Sequence, residues 1–327
     1  MSQRTALYAL ATRHRLDGAA TRRLLDLAGL DGEPAGLERW LPRAVALLAA
    51  ALAGLGLVLW VAANWDALGR AGQFALLQGA VLATCLGALV LPGARTAAGL
   101  LALVAVGGLL AYTGQTYQTG ADPWQLFAWW GLLTLPLALA LRSDALWTPW
   151  ALVTLTAVAL WAQTHAGSPW RWLGSGRPDD LGVYAWAWGA AALIVVGLGP
   201  VGRRLTGAGL WSLRTAATLA VALVSLPALV ALVADSSMPT YRLGLAVLTG
   251  AVLVLALPAT FEIGALSAAV LGLDTLLVAG LGRWLLHGRA SEPIAELFVL
   301  GLAAAGVLAA SVAALLWLAR RRGGRRS

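Results

Sequence analysis

Ten runs of roughly twenty apolar residues, separated by short polar joints, leave this chain few folds to choose from. A helix needs about that length to cross a hydrocarbon core, and in lipid only helices and closed barrels satisfy their own backbone. A membrane barrel would show segments of about 10 residues with alternating polarity, and these runs do not alternate. The composition agrees: 60% of the residues are hydrophobic, 12% are charged and the mean hydropathy is +0.78. The chain therefore reads as all-α, a polytopic transmembrane helical bundle of about ten spans with a small N-terminal cytoplasmic helical cap. The spans fall near 43–64, 71–91, 96–113, 123–141, 145–163, 181–199, 214–234, 241–257, 261–282 and 294–319. Three regions follow: a cap over 1–42, a bundle over 43–319 and a basic cytoplasmic tail over 320–327.

Within the cap, Asp17 and the following GAATRRLLDLAGL read as an N-cap and an amphipathic helix with Leu24, Leu27 and Leu30 on one side. A helix over about 3–14 is expected to pair with it. Acidic residues interleave with the arginines here, so the net charge of +8 points to membrane anchoring and not to nucleic acid. All 23 basic residues are arginine; seventeen fall in the tails and loops of one side. The other six are Arg70, Arg171, Arg177, Arg242, Arg283 and Arg289. By the positive-inside tendency both termini are expected in the cytoplasm, with the bundle in the cytoplasmic (inner) membrane. The polar, Arg-rich start has no early apolar core, so no cleaved signal peptide is expected.

Cys85 is the lone cysteine and His14, His165 and His287 are scattered, so neither a disulfide nor a metal centre is expected. There is no phosphate-binding loop, dinucleotide fingerprint or nucleophile elbow, and no cofactor or enzymatic activity is expected. Of the 16 tryptophans, twelve fall near span ends, where amphipathic rings suit the headgroup level. Trp129, Trp130, Trp186 and Trp188 lie deeper and are expected to pack between helices. Small residues at Gly79, Ala80 and Ala83 and at Gly301 and Ala305 offer spacing for close helix approach.

The polar interruptions carry the functional candidates. Tyr112 to Trp130 reads YTGQTYQTGADPWQLFAWW. Asp122 followed by Pro123 suits a helix start, and Gly114 and Gly120 suit turns. Gln115, Tyr117, Gln118 and Gln125 are needed for neither, and each brings groups that require partners near a membrane boundary. A second element, VAANWDALGR, places Asn64 and Asp66 at the expected outer boundary, where Asp66 can cap a turn or pair with Arg70. Gln73 and Gln78 lie in the second span, and Asp274 lies near the middle of the ninth. An ionised carboxylate at that depth costs about 2.5–3.5 kcal/mol on insertion scales, so Asp274 is expected to face the bundle interior.

At VAANWDALGRAGQ and GQTYQTGADPWQLFAWW the chain resembles a bacterial family of membrane proteins, the domain-of-unknown-function family 2157. Asn64, Trp65 and Asp66 match its first element; Gln115, Tyr117, Gln118, Asp122, Trp124 and Gln125 match its second. The resemblance covers about 1–145 and implies a membrane protein with no established activity. Beyond the lipid bilayer, the expected partner is a small solute or ion held in a polar recess on the outer face. Asn64, Asp66, Gln115, Tyr117, Gln118, Asp122, Trp124 and Gln125 would wall it, with Asp274 beneath. The alternative is a non-catalytic scaffold or partner subunit in which the same groups lock loops together.

Overall fold

A computed structural model of the chain describes residues 3–28, 37–118, 120–166, 180–233, 238–288 and 293–323. Two units emerge, Met1–Leu52 and Ala53–Ser327. In the first, α1 (Gln3–Arg13) packs on α2 (Gly18–Leu27). Asp17 caps α2 as expected: its carboxylate accepts the Ala20 N–H at 2.7 Å. The apolar stripe differs from the expected one. Leu25 is buried and Leu27 is 87% exposed, because the pair is closed by the face that meets α1. Leu30 lies outside the described residues.

Helix α3 (Leu37–Ala63) begins in the first unit and ends in the second. There follow α4 (Trp65–Val90), a 3-10 turn, α5 (Arg95–Tyr117), α6 (Pro123–Leu141), α7 (Asp144–His165) and α8 (Asp180–Leu198). The chain continues through the short α9 (Arg203–Thr206), α10 (Leu210–Val233), α11 (Met238–Leu255), α12 (Ile263–Gly288) and α13 (Pro293–Gly323). Ten of these helices are long and apolar enough to span a membrane, in the order the sequence predicts, and no strand forms among the described residues. The third span runs further than expected, to Tyr117, so Gln115 and Tyr117 lie on a helix and not in a loop.

The second unit is built on α7 and α10. Helix α7 packs on α5, α6, α8 and α10; α10 packs on α7, α8, α11 and α12. In the most apolar stretch of α10, 44% of residues are buried, against none in α13, whose packing partner among the described residues is α12. Lipid offers little hydrophobic drive for helix association, so close approach and cross-helix hydrogen bonds must supply it. Both are present. The Trp130 indole donates to the Leu103 carbonyl at 2.8 Å, and a Cβ on Gly107 would strike its ring. Trp150 donates to the Gly131 carbonyl at 2.9 Å and Trp188 to that of Leu223 at 3.1 Å.

These contacts revise the tryptophan reading. Trp130 and Trp188 pack between helices as expected, but Trp129 and Trp186 face outward. Trp147, placed near a span end by the sequence, is buried and donates to the Thr206 carbonyl at 2.7 Å. The expected small-residue contacts also move: a Cβ on Gly79 or Gly301 would meet no neighbour. Trp170, Trp172, Arg171, Arg177, Arg289 and Glu292 lie outside the described residues, as does the side chain of His287.

Candidate functional site

The stretch around Gln118 is a helix end followed by a helix start. Helix α5 stops because Gln118 takes the left-handed conformation at φ 42°, and Gly120 follows at φ 61°. Glutamine thus does the turning that the sequence reading assigned to glycines alone. Asp122 holds the N-cap position of α6 and Pro123 its first helical position, but the Asp122 carboxylate makes no capping hydrogen bond. Gln115, Tyr117, Gln118 and Asp122 are exposed; Trp124 and Gln125 are half-buried.

Neighbouring helices hold this end through aromatic groups. The Tyr112 hydroxyl lies 2.7 Å from Gln73 Oε1, with both side chains buried. Phe74 meets the Tyr112 ring edge-on at 4.6 Å and the Tyr117 ring at 5.8 Å. Trp124 lies 5.9 Å from the His165 ring, edge-on. Asn64, between α3 and α4, is half-buried and spends its amide on the Trp60 carbonyl of α3, at 2.9 Å. Between Asn64 and the body of α4, Gly69 breaks helical geometry at φ 59° and ψ 165°; the Asp66 side chain lies outside the described residues.

Four buried polar atoms lack a partner among the described residues: Thr116 Oγ1, Trp124 Nε1, Ser225 Oγ and Asp274 Oδ2. Sequence reasoning passed over Thr116 and Ser225 because a helical hydroxyl ordinarily bonds the carbonyl one turn back. Thr113 and Thr134 do so here.

Asp274 is the most consequential of the four. It is 8% exposed, on α12, and Ser311 of α13 donates to its Oδ1 at 3.0 Å. It borders a groove of about 650 Å³. Leu232 and Val233 of α10 form one wall, Val278 and Ala279 of α12 the floor, and Leu300, Ala304 and Leu308 of α13 the other wall. Arg283 closes the end nearer the C-terminus of α12 and donates to the Leu232 carbonyl. Pockets of about 300–1,000 Å³ with apolar walls and a few convergent polar groups are the usual form of small-molecule sites.

The described packing keeps this groove apart from the Gln118 end. Helix α12 packs on α10, α11 and α13, whereas α5 packs on α4, α6 and α7. Asp274 therefore belongs to a different helix group from Gln115, Tyr117, Gln118, Trp124 and Gln125.

Two further carboxylates went unnoticed in the sequence. Asp144 opens α7 yet caps α10, accepting N–H groups from Gly209 at 2.8 Å, Trp211 at 3.1 Å and Ser212 at 3.0 Å. Glu262, just before α12, accepts the Arg214 guanidinium at 2.8 and 3.0 Å through Oε1 and the Ala265 N–H at 2.7 Å through Oε2. Burial alone would raise the Glu262 carboxyl. Arg214 and the N–H groups of Ala265 and Gly264 outweigh it and hold the group below its ordinary value. Partners this distant in sequence, Asp144 with 209–212 and Arg214 with Glu262, leave no local signal. No group of three or more His, Cys, Asp or Glu side chains assembles among the described residues.

No curated protein and no solved structure matches the chain. A family model does, over a segment that runs from α1 to the first turn of α7 and includes the Gln118 end but not the Asp274 groove. Residues 8–147 match the family described as Predicted membrane protein (DUF2157).

Proposed function

We propose that this membrane protein handles a small solute, bound in the groove between α10, α12 and α13. The observation that carries this reading is Asp274 Oδ2, buried without a partner among the described residues beside a groove of about 650 Å³. An unsatisfied buried acceptor costs about 1–3 kcal/mol, a cost that a bound donor removes. The Arg distribution supports placing both termini in the cytoplasm, and the resemblance to a bacterial family supports an inner-membrane setting. With alternating helices, the C-terminal ends of α5, α10 and α12 then share the outer face, so the groove reaches from the outer boundary to mid-membrane.

Native mass spectrometry of the full chain released from nanodiscs tests the groove. A bound small molecule is expected, with its occupancy about tenfold lower in Ala304→Phe, which fills the groove. Equal occupancy in the two proteins overturns the reading. Cysteine accessibility at engineered loop positions, in a Cys85→Ser background, tests the orientation.

A second reading, a scaffold or partner subunit, is favoured by one observation. Gln115, Tyr117, Gln118 and Asp122 are exposed together at one helix end, as suits a protein contact more than an enclosed recess. Tyr117→Ala and Gln118→Ala then reduce recovery of a co-purifying partner without changing the melting temperature. Unchanged recovery removes this reading.

A further inference from the structure

We infer that the groove selects a lipophilic amine: a molecule with an ammonium group placed against Asp274 and an alkyl or aryl body lying between α12 and α13. The inference rests on the groove reading above and names the chemical class of its ligand.

At the Asp274 end of the groove the hydrogen-bonding capacity that is left has one sign. Thr275 spends its hydroxyl on the Leu271 carbonyl at 2.7 Å, and Ser311 spends its own on Asp274 Oδ1 at 3.0 Å. Arg283 stands nine residues further along α12, roughly 13 Å away at 1.5 Å per residue, and donates to the Leu232 carbonyl. Around Asp274 the walls are otherwise Leu, Val and Ala. What remains there is Asp274 Oδ2, which has no partner among the described residues and which, on an ionised carboxyl, can only accept.

A ligand head group there must therefore donate. A neutral hydroxyl satisfies the oxygen, but a cation also offsets the cost of a carboxylate at this depth, about 2.5–3.5 kcal/mol on insertion scales. Charge-assisted bonds are also about twice as strong as neutral ones. A carboxylate or phosphate head meets like charge at Asp274 and is disfavoured at that end. The rest of the ligand is set by the walls and the route. Helix α13 has none of its most apolar stretch buried, so the groove is bordered by a peripheral helix and is reached from lipid. A molecule that arrives dissolved in the bilayer carries an apolar body, and the groove is lined to receive one.

Three photoreactive probes with the same dodecyl chain and mid-chain diazirine, ending in an amine, an alcohol or a carboxylate, test the inference on the full chain in nanodiscs. Adducts are mapped by peptide mass spectrometry. The amine is expected to label the wall at Val278, Leu300 or Ala304, to be displaced by unlabelled dodecylamine, and to label Asp274→Asn about tenfold less. Ser311→Ala keeps the carboxylate, so amine labelling should persist there. That comparison, with the amine-to-alcohol ratio on the unmodified protein, decides the matter should Asp274→Asn fail to fold. Equal labelling by the alcohol or the carboxylate, undiminished labelling of Asp274→Asn, or loss in Ser311→Ala overturns the inference while leaving a groove that binds solutes. Absence of wall adducts from all three probes removes the groove reading as well.

Discussion

Asp144 and Glu262 at helix ends, and Asp274 in the middle of a helix, are the same kind of group in two kinds of place. Asp144 receives three backbone N–H groups, and Glu262 receives a guanidinium and the N–H groups of Ala265 and Gly264. Asp274 receives a single hydroxyl. Helix geometry accounts for the difference. The first turn of a helix has unused N–H donors, so a carboxylate placed there finds partners on the backbone. In mid-helix every N–H is committed to the ladder, and a carboxylate depends on whatever a neighbouring helix brings. Here α13 brings Ser311 alone. The end carboxylates hold the bundle together, and the middle one is left with binding capacity to spare.

The sharpest way to break this comparison is Asp144→Ala. It strips three N–H groups at the start of α10 of their acceptor and is expected to cost about 2–4 kcal/mol. Thermal melting of the purified protein in one detergent reads this, and an unchanged midpoint would show that the cap is not structural.

Glu262→Gln should cost less, about 1–2 kcal/mol, because Arg214 keeps 39% of its side-chain surface exposed and solvent screens the pair. Its pH dependence has a definite sign. A depressed carboxyl contributes stability above its ordinary value of 4.5 and loses it as pH falls through the lower folded value. The unmodified protein should therefore lose stability below about pH 4.5 more steeply than Glu262→Gln. Parallel melting curves for the two proteins over that range would contradict the assignment.

Trp130→Phe supplies a neutral reference at membrane depth. It removes the bond to the Leu103 carbonyl and the far edge of the indole that covers Gly107, and should cost about 1–2 kcal/mol. The smallest effect on stability is expected for Asp274→Asn, about 0.5 kcal/mol or less, since the amide still accepts from Ser311 and no longer brings a charge to that depth. A large loss would place Asp274 with the end carboxylates and break the contrast.

Much of the fold was legible because spanning a membrane is a local demand. Each helix must supply its own apolar length and satisfy its own backbone, so ten spans, the Asp17 cap and the start at Asp122–Pro123 can be read one at a time. Asp274 was legible for the same reason, as a carboxylate that has no cheap place at mid-span. The Gln118 end was legible only in part. Residue types flagged Gln115, Tyr117 and Gln118 as unusual, but Gln118 turned out to end a helix, and the buried orphan donors are Thr116 and Trp124.

The sequence by itself thus determined the class of fold, the number and order of the spans, and which polar groups stand out against them. Tertiary structure alone decided which partners those groups meet. Asp144 finds residues 209–212, Arg214 finds Glu262, Tyr112 finds Gln73, and Asp274 finds Ser311 and a groove instead of the Gln118 end. The reason is physical. Apolar length is a property of one helix, whereas the pairing of helices in lipid turns on a few close contacts and hydrogen bonds between residues far apart in the chain.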